Sequence, residues 1–491
     1  MANNVFLALD LGAESGRGLL GTVSDRKIEL TEVHRFPNGP VRTGNELHWD
    51  TLRLWSEMKQ ALALAVKETD RLAGIGVDTW GVDFGLLARD GQLLGNPFHY
   101  RDARTNGILE KAFEIVPREK IFEQTGLQFM QLNTLFQLLA MRLQNSPLLD
   151  AAETMLLMPD LFNYWFTGRK CAEFTIATTT QAYDPRQGQW AADLIEKMGL
   201  PRRIFPEIVP TGTVLGALRS EVREETGAGD IPVICPAEHD TGAAVAAVPA
   251  VEGKSWAFLS SGTWSLMGME VDKPVINEHA LRFNFTNEGC FGGTFRFLKN
   301  ILGLWLIQEC RRTWEREGKS FSYDRLAKMA AEAEPFLAIL NPDDPSFLAP
   351  GDMPARIAEF CQRTGQKVPT EPGQIVRVCL EGLAMSYRQT LERIEICTGR
   401  RIDVLHAVGG GIQNTQLCQW TADVLGRAVV AGPIEATATG NIAIQAIATG
   451  VLADLPTARR VIARSFEPIV YEPANSAAWE KPYKQFEQLR S

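Results

Sequence analysis

The chain has 491 residues, of which 45% are hydrophobic, and carries a formal net charge of -9 at pH 7. Because single cores stop growing near roughly 250–300 residues, this length predicts two large domains. The acidic balance excludes a broad basic surface for nucleic acid or an anionic membrane, so we expect neither as a partner.

We expect no signal peptide in the first residues. No basic region precedes the apolar run 5–9, and Asp10 ends that run too early for a signal peptide. No uncharged apolar stretch reaches the roughly 18 residues of a membrane helix. The eight cysteines include no C-x-x-C pair, which argues against a zinc site, although a disulfide between Cys361 and Cys379 remains open. We expect a cytoplasmic protein with mostly reduced thiols.

A glycine-containing hairpin opens the chain. Two apolar strands, 5–9 and 18–23, flank a polar turn with Gly12 and Gly16 at its tip. Glycines at such positions let backbone N–H groups approach the phosphates of a ligand. Asp10, at the end of the first strand, could hold a magnesium ion through water. An ordinary glycine-rich hairpin is the structural alternative.

The segment 74–84 is predicted to be a strand that leaves the core and bends at Gly81. Carbohydrate sites combine an aromatic face with hydrogen-bonding groups. Trp80 and Asp83, together with the segment 100–105, are therefore candidates for a sugar pocket. Core packing of the tryptophan and a surface ion pair in the second segment are the structural alternatives.

Three patterns follow before the middle of the chain. Residues 134–143 have apolar side chains at helical spacing, and the apolar stretch 151–158, which Pro159 ends, is predicted to belong to the core. The polar and β-branched run 177–181 predicts a strand edge or a loop near a site.

The middle of the chain is predicted to fold as a strand, a polar turn and a helix. The apolar run 231–235 precedes the turn 236–242, and the small residues of 243–248 follow. Asp240 would then stand at the start of the helix, where free N–H groups keep its carboxylate ionised and able to accept a proton. Simple capping of the helix by Asp240 is the structural alternative.

A second hairpin follows a predicted domain boundary near 248–253, where proline and glycine interrupt the pattern. Strands 255–259 and 266–269 flank the polar turn 260–265, as in the first hairpin. One hairpin at the start of each half indicates duplicated domains that hold a polyphosphate from two sides. The predicted domains are 1–248, which would carry the phosphate turn and bind sugar, and 249–491, which would bind nucleotide.

The second half is predicted to be helical over 296–309 and over 376–397, where Gly399 ends the helix. The strand 404–408 then meets the glycine triplet 409–411. Three glycines before a helix suit the close approach of a nucleotide's base and ribose, as they suit any tight strand-to-helix turn.

Together, these stretches resemble the FGGY carbohydrate kinases, from the first strand to the last domain. The matching motifs are ALDLGAESGR (8–17), GVDTWGVDF (76–84), YRDARTNG (100–107), LLMPD (156–160), ATTTQ (177–181), HDT (239–241), LSSGTWSLMG (259–268), TNEG with LKNILGLWLIQ (286–308) and VGGGIQN (408–414). The motifs TWGVDF and SSGTWSLMG point more narrowly to members that act on a ketose of the rhamnulose type.

The resemblance implies an α/β fold of two actin-like (ribonuclease H-like) domains with an interdomain catalytic cleft for ATP and a sugar. It implies that Asp240 is the catalytic base and that Asp10 lies near the metal ion. The implied sugar contacts are Gly81, His239, Asp240, Thr241 and Asn300. The implied ATP contacts are Ala13, Glu14, Ser15, Gly16, Arg17, Thr263, Gln308 and Gly410.

The implied reaction transfers the γ-phosphoryl group of ATP, with Mg²⁺ as cofactor, to the C1 hydroxyl of L-rhamnulose. A kinase for another ketose, such as L-fuculose or a xylulose, is one alternative, and an actin-like ATP-dependent binding protein is another. Two residues depart from the family pattern: Glu238 stands where a small residue is usual, and Glu14 places an acid beside phosphate. We expect a monomer or a small homo-oligomer.

Overall fold

The structure is a computed structural model that describes residues 4–69, 71–250 and 253–489. The predicted boundary near 248–253 lies partly outside these residues, because Val251 and Glu252 are not among them. The chain divides into two compact units, and each contains a mixed sheet of parallel and antiparallel strands together with helices.

The strands, in chain order, are β1 (Asn4–Leu11), β2 (Ser15–Val23), β3 (Ile28–Pro37), β4 (Pro40–Thr43), β5 (Glu46–Trp49), β6 (Gly74–Thr79), β7 (Phe84–Leu87), β8 (Thr154–Leu157), β9 (Ala172–Glu173), β10 (Tyr183–Asp184), β11 (Gln189–Trp190), β12 (Ile208–Val209), β13 (Val214–Ala217), β14 (Pro232–Ile234), β15 (Trp256–Ser261), β16 (Trp264–Val271), β17 (Thr286–Gly289), β18 (Phe295–Leu302), β19 (Val404–Val408), β20 (Val429–Ala431) and β21 (Ile469–Tyr471).

The α-helices are α1 (Thr51–Glu68), α2 (Ile108–Ile115), α3 (Arg118–Thr125), α4 (Thr134–Leu143), α5 (Pro147–Ala151), α6 (Met158–Thr167), α7 (Phe174–Ala177), α8 (Ala192–Lys197), α9 (Ser220–Thr226), α10 (Asp240–Ala246), α11 (Glu278–Phe283), α12 (Trp305–Arg316), α13 (Tyr323–Glu332), α14 (Met353–Arg363), α15 (Pro372–Thr398), α16 (Thr415–Leu425), α17 (Ala436–Ala448), α18 (Leu455–Phe466) and α19 (Glu480–Leu489). Short 3₁₀ helices cover Ala103–Thr105, Arg202–Ile204, Phe291–Gly293, Pro345–Phe347, Gly410–Gln413 and Ser476–Trp479.

The first unit joins three chain segments: the residues up to Ala247, Glu270–Phe297 and Ala436–Ser465. Its main sheet has the order β13-β14-β6-β1-β2-β3. β1 pairs antiparallel with β2 and parallel with β6, which in turn pairs parallel with β14. Because β1, β6 and β14 run in the same direction, their carboxyl ends meet at one edge of the sheet.

The strands at the centre of this sheet are buried. Every residue of β6 is buried, as are the last six residues of β1. Helix α17 packs on β1, β2 and β6. Strands covered by other elements have near-continuous apolar sequences, which explains why run 5–9 is apolar throughout.

The second unit comprises Val248–Met269, Leu298–Glu435 and the residues from Phe466 onward. Its sheet contains the order β18-β16-β15-β19-β20-β21. β15 pairs antiparallel with β16 and parallel with β19, and β19 pairs parallel with β20. A hairpin followed by parallel strands thus recurs in both units, as the predicted duplication requires. The division of the chain at 248/249 stays a prediction.

Several predicted elements are confirmed. Helix α4 covers the predicted range 134–143, and β19 covers 404–408. Helix α15 ends at Thr398, and Gly399 follows in the left-handed conformation with φ 68°. The core prediction for 151–158 holds for β8, and Pro159 lies in the first turn of α6. Run 177–181 is not a strand edge: Ala177 is the last residue of α7, and residues 178–181 form the turn that follows it.

The prediction of a helix over 296–309 is wrong in its first half. Residues 295–302 form strand β18, and α12 begins only at Trp305. Every position of β18 except Asn300 is buried. The strand includes Arg296, Lys299 and Asn300 among its apolar residues. A short mixed run of this kind fits a strand and a helix equally well, so periodicity could not distinguish them.

The eight cysteines are all free and buried. The disulfide between Cys361 and Cys379, which the sequence left open, is therefore not formed. Burial raises the pKa of the Cys361 thiol to about 11. Among the residues that the structure describes, no helix combines the length and the apolar character needed to span a bilayer.

Candidate active site

Three aspartates approach one another at the carboxyl edge of the first unit's sheet. Asp10 in β1 lies opposite Asp78 in β6, and Asp240, which follows β14, is the first residue of α10. A parallel bridge between Thr79 and His239 holds the turn before α10 alongside the end of β6. The predicted base and the predicted metal-binding residue are thus brought to the same edge by parallel strand pairing.

The carboxylate of Asp240 is anchored through one oxygen. Its Oδ1 accepts hydrogen bonds from the N–H of Thr241 at 2.5 Å and from the Thr241 hydroxyl at 3.2 Å. The same oxygen lies 3.4 Å from Nε2 of His239, and the side chain is 32% exposed. Oδ2 accepts no hydrogen bond from the residues that the structure describes. His239 occupies the N-cap of α10 and makes no side-chain capping hydrogen bond, whereas Asp240 is the first residue of the helix.

Burial and like charge raise the pKa values of Asp78 and Asp240. The pKa of Asp78 lies well above its usual range, first because of burial and then because of the charge of Asp10, although a hydrogen bond from Asn441 opposes the change. Burial also raises the pKa of Asp240, while the charge of His239 lowers it and that of Asp10 raises it. A carboxylate with a raised pKa is a better proton acceptor than an ordinary aspartate.

An ion pair contacts one nitrogen of the His239 ring. Its Nδ1 lies 2.9 Å from Nη2 of Arg296 and 3.2 Å from Oε2 of Glu288. The same Nη2 donates a hydrogen bond of 2.9 Å to that Oε2. Both Arg296 and Glu288 are buried. The histidine beside the predicted base therefore contacts a cation and an anion through one ring nitrogen.

The predicted phosphate turn, 13–17, connects β1 with β2. The N–H of Gly12 donates to the carbonyl of Ser15 at 2.9 Å and closes the turn. A Cβ on Gly16 would overlap the ring of Phe36. Packing alone therefore requires glycine at position 16, independently of any contact with phosphate.

The turn carries two charged residues with different surroundings. Arg17 donates from Nη2 to Oδ2 of Asp10 at 2.6 Å. Glu14 is exposed, so water screens its charge. The acidic departure from the family pattern therefore lies at the surface of the first unit.

Gly81 lies in the turn that follows β6, with almost no room for a side chain. A Cβ there would lie 3.2 Å from Cγ2 of Thr179. The next residue, Val82, has a left-handed φ of 70°, and its N–H donates to Oγ1 of Thr179 at 3.2 Å. Such a conformation costs a β-branched residue about 1–3 kcal/mol and is concentrated at functional sites. Run 177–181 therefore supports the turn at Gly81.

Protein donors saturate the Asp83 carboxylate. Oδ2 accepts from the indole N–H groups of Trp49 at 2.6 Å and Trp80 at 3.1 Å and from the N–H of Tyr100 at 3.1 Å, while Oδ1 accepts from Gln137 at 2.8 Å. Burial raises the pKa of Asp83 to about 6, and these side-chain hydrogen bonds oppose the increase. The contacts favour core packing of Trp80 over direct contact with a sugar, and they give both Asp83 oxygens hydrogen bonds within the protein.

In the second unit, the turn of the β15–β16 hairpin contacts the start of α12. The carbonyl of Thr263 accepts from the N–H groups of Gly303 at 3.1 Å and Trp305 at 3.2 Å. The Thr263 hydroxyl accepts from Nε2 of Gln308 at 3.1 Å. Oε1 of Gln308 is buried and has no hydrogen-bond partner within the described part of the chain. Two predicted ATP contacts are thus brought together.

The glycine triplet 409–411 packs against the same hairpin. Gly409 has φ 89°, and a Cβ there would lie 2.9 Å from the carbonyl oxygen of Ser261. A Cβ on Gly411 would overlap the Ser261 side chain, whereas Gly410 is exposed and has open space around it. Packing against Ser261 therefore accounts for glycine at positions 409 and 411. Gly410, by contrast, exposes its backbone to solvent.

The predicted residues fall into two groups. The first unit gathers Asp10, Arg17, His239, Asp240 and Thr241 at one sheet edge. Gly81 follows the neighbouring strand β6. In the second unit Thr263 contacts Gln308, Gly410 follows β19, and Asn300 lies on β18.

Three further residues that lie beside the first group, Asp78, Glu288 and Arg296, were missing from the sequence-based prediction of the site. Asp78 carried a signal, because an acidic residue within an apolar strand is rarely buried without a partner. Glu288 lies within the matching motif TNEG, but no local feature assigned it a role. Arg296 lies outside the matching motifs, and only the fold brings it to His239.

A protein family and several curated proteins match this chain over most of its length. The FGGY family of carbohydrate kinases matches through its N-terminal domain at residues 5–247 and through its C-terminal domain at residues 257–449. The rhamnulokinase of Bacteroides thetaiotaomicron is 44% identical over 481 residues, which cover 98% of this chain and 98% of that protein. The rhamnulokinase of Oceanobacillus iheyensis is 40% identical and covers 95% of this chain and 97% of its own length.

Solved structures have the same fold. The xylulose kinase of Lactobacillus acidophilus superposes with a TM-score of 0.82 at 15% identity, over 99% of this chain and 98% of that chain. The xylulose kinase of Rhodospirillum rubrum superposes with a TM-score of 0.79 at 20% identity, over 99% of this chain and 98% of that chain. The predicted two-domain α/β fold is confirmed.

Proposed function

The chain belongs to the FGGY family of carbohydrate kinases, and on that basis we propose that it transfers the γ-phosphoryl group of ATP to the C1 hydroxyl of L-rhamnulose. The products are L-rhamnulose 1-phosphate and ADP, and the reaction is a step of L-rhamnose catabolism. Support comes from relatives named rhamnulokinase, which are 36–44% identical and cover 94–99% of the chain.

The observation that carries this proposal is the Asp240 carboxylate, with Oδ1 anchored and Oδ2 available. Oδ2 takes the proton of the C1 hydroxyl while that oxygen bonds to the γ-phosphorus. The bond from phosphorus to the bridging oxygen breaks, and ADP leaves with its electron pair. Because the transition state is loose, alignment and charge neutralisation provide most of the catalysis. The raised pKa of Asp240 makes its carboxylate a better proton acceptor than that of an ordinary aspartate.

ATP is proposed to contact residues of both units. In the first unit these are Ala13, Glu14, Ser15, Gly16 and Arg17. In the second unit these are Thr263, Gln308 and Gly410. The unpartnered Oε1 of Gln308 and the open backbone of Gly410 support the second group.

A magnesium ion fits the aspartates at the sheet edge. Oδ1 of Asp78 is buried without a hydrogen-bond partner among the described residues, and the charge of Asp10 raises the pKa of Asp78. A divalent cation would relieve both conditions. Asp10 and Asp78 would hold it together with water and ATP, because Mg²⁺ usually keeps several waters and takes only one or two carboxylates. When bound, it neutralises charge on the phosphates.

The sugar is proposed to contact Gly81, His239, Thr241 and Asn300 besides the base. The close packing at Gly81 supports a tight turn on which a ligand can approach the backbone. The choice among ketoses depends on which hydroxyl groups find hydrogen-bond partners. A cytoplasmic location and a monomer or small homo-oligomer stay predictions.

A panel of sugars tests the reaction. ADP formation from Mg-ATP is measured with L-rhamnulose, L-fuculose, L-xylulose, D-xylulose and glycerol. We expect a strong preference for L-rhamnulose. A different preferred ketose would leave the mechanism in place and change the specificity. No stimulation by any sugar would contradict a kinase and favour an ATP-dependent binding protein.

The variant Asp240→Asn tests the base. General-base catalysis contributes about 10²–10⁴-fold, so we expect kcat to fall by that factor while L-rhamnulose still raises the thermal midpoint. Asp50→Asn is the matched control, because Asp50 also stands at the start of a helix, where it accepts from the N–H of Arg53. Near-normal turnover of Asp240→Asn would exclude this residue as the base.

A further inference from the structure

The ion pair of Glu288 with Arg296 has no role in the proposed function so far. Arg296 is fully buried, and its Nη2 donates to Oε2 of Glu288 at 2.9 Å. Removing two charges from water is unfavourable, and their mutual attraction in the protein interior only partly offsets that penalty unless the geometry is good. Apolar residues would fill the space beside His239 at a lower cost in free energy, so packing alone does not account for this ion pair.

The backbone of His239 is held independently of this pair. Its N–H donates to Oγ1 of Thr175 at 3.2 Å, and a bridge joins it to Thr79. These backbone contacts do not restrain the side-chain torsions that orient the imidazole. The contacts of Nδ1 with Glu288 and Arg296 provide that restraint.

The chemistry of the two partners decides which ring nitrogen carries a proton. A guanidinium only donates and a carboxylate only accepts. If Nδ1 accepts from Arg296, the ring proton is on Nε2. If Nδ1 donates to Glu288, a proton on Nε2 is still favoured, because a bare Nε2 would face the Asp240 carboxylate at 3.4 Å. Both favourable arrangements direct an N–H from Nε2 at Oδ1 of Asp240.

The packing of the first turn of α10 accommodates this guanidinium. A Cβ on Gly242 would overlap Nη1 of Arg296. Gly242 lies within the helix and has no positive φ, so backbone conformation does not require glycine there. The space for the arginine does, which links Arg296 sterically to the helix that begins with Asp240.

The electrostatics agree with the geometry. Burial alone would raise the pKa of Glu288, but its hydrogen bond with His239, the charges of His239 and Arg296, and the hydrogen bond from Arg296 lower it to about 2. Glu288 is therefore ionised at neutral pH. Its negative charge lies beside Nδ1 of His239, 3.2 Å away.

We propose that Glu288 and Arg296 are positioning residues that hold the His239 imidazole with its Nε2–H directed at Asp240 and thereby orient the carboxylate of the base. This role rests on the proposed function only in naming Asp240 as the base. The orientation of the ring can be measured without turnover.

The first test is nuclear magnetic resonance of the full-length protein with ¹⁵N-labelled histidine. Correlation of ring nitrogens with ring protons reports which nitrogen is protonated, and the spectrum of His239→Gln identifies the His239 signals. We expect the wild-type ring to carry a proton on Nε2. Glu288→Gln removes the anion, and Gly242→Ala displaces the guanidinium, so both should change the His239 signals.

The second test separates positioning from general loosening of the fold. For Glu288→Gln we expect kcat/KM for L-rhamnulose to fall about tenfold, within the range of couplings between contacting residues, while KM for ATP stays unchanged. Glu270→Gln is the matched control. Glu270 accepts from Nη2 of Arg459 at 2.9 Å and from Thr294 at 2.9 Å, and it should alter neither the His239 signals nor kcat/KM.

Three results would overturn the proposal: unchanged His239 signals in both Glu288→Gln and Gly242→Ala, an equal change in Glu270→Gln, or changed signals with an unchanged kcat/KM. If Glu288→Gln does not fold, Gly242→Ala decides, because every polar group of the cluster is retained in it. An inactive wild type with the expected His239 signals would contradict the proposed function and leave the ring orientation confirmed.

Discussion

Glu238, the residue before the His-Asp pair, belongs to a buried cluster of carboxyl groups. Burial, followed by the charges of Asp160 and Glu173, raises the pKa of Glu238 well above its usual value of 4.5, and burial raises that of Asp160 likewise. Asn163 donates to Oε1 of Glu238 at 2.6 Å. A protonated Glu238 can donate to Asp160, which lets the cluster remain in the core with less uncompensated charge.

We expect Glu238→Gln to make stability less dependent on pH. In the wild type, the folded state keeps a proton that the unfolded chain releases above about pH 4.5, so stability declines as pH rises toward the raised pKa. Glutamine can accept from Asn163 and donate to Asp160 without ionising in the unfolded chain. For each pH unit over which the wild-type decline is abolished, the variant retains about 1.4 kcal/mol of unfolding free energy that the wild type loses. Urea unfolding at pH 5 and pH 8 measures the difference.

The exposed Glu224 provides the comparison for this experiment. Glu224→Gln should leave the difference in unfolding free energy between pH 5 and pH 8 as it is in the wild type. If Glu238→Gln keeps the wild-type difference as well, Glu238 is ionised in the folded protein, and the neutral cluster is wrong.

At this scale, the sequence could identify residues that are neighbours in the chain. His239, Asp240 and Thr241 form one motif, and their contacts with one another are local. The partners of Glu238 and His239 could not be predicted in the same way. Asp160 and Arg296 reach them only through the fold, and neither has a local pattern that reveals its partner.

At the scale of elements, helices α10 and α17 contact each other through small residues. A Cβ on Gly440 of α17 would overlap the carbonyl oxygen of Ala243 in α10. From the same helix α17, Asn441 donates to Oδ2 of Asp78 at 2.6 Å and Gln445 donates to the carbonyl of Leu7 at 3.0 Å. Helix α17 thus links the helix of the base to the strands β1 and β6 that carry the other carboxylates.

We expect Gly440→Ala to destabilise the protein and to lower kcat. Alanine gains about 1 kcal/mol of helix propensity over glycine, but overpacking a tight contact costs about 1–3 kcal/mol, and here the obstacle is a backbone oxygen that cannot rotate away. Displacing α10 would also displace Asp240. Urea denaturation and ADP formation measure both effects. Gly229→Ala is the control, because the added methyl has open space there. If Gly440→Ala has the same stability and kcat as Gly229→Ala, the tight contact between α10 and α17 is wrong.

Elements with local signals could be predicted from the sequence, whereas those defined by distant partners could not. Helix α15 has an apolar face and a terminal glycine, and each hairpin has its turn glycine within the motif. Strand β18 has no such signal, because its burial comes from elements that fold around it. The contact between α10 and α17 could not be predicted from the sequence either, because runs of small residues are compatible with many helix pairs.

At the scale of the whole molecule, the chain alternates between its two compact units. The first unit takes Glu270–Phe297 and Ala436–Ser465 from beyond the predicted boundary at 248/249. Helix α17, within the last of these segments, covers β1, β2 and β6. Folding of the first unit therefore depends on residues that are synthesised late.

We expect the fragment 1–248 not to fold on its own. Without α17, the buried residues of β1 and β6 would face water, at a cost of roughly 25 cal/mol per Å² of apolar surface, and Asp78 would lose its hydrogen bond from Asn441. Unfolding in urea should lack a cooperative transition, and the fragment should bind a dye that detects exposed apolar surface. Coexpression with 249–491 should restore a cooperative transition and abolish dye binding, because it supplies α17. A cooperative transition of the isolated fragment would instead mark 248/249 as the boundary of an autonomous domain.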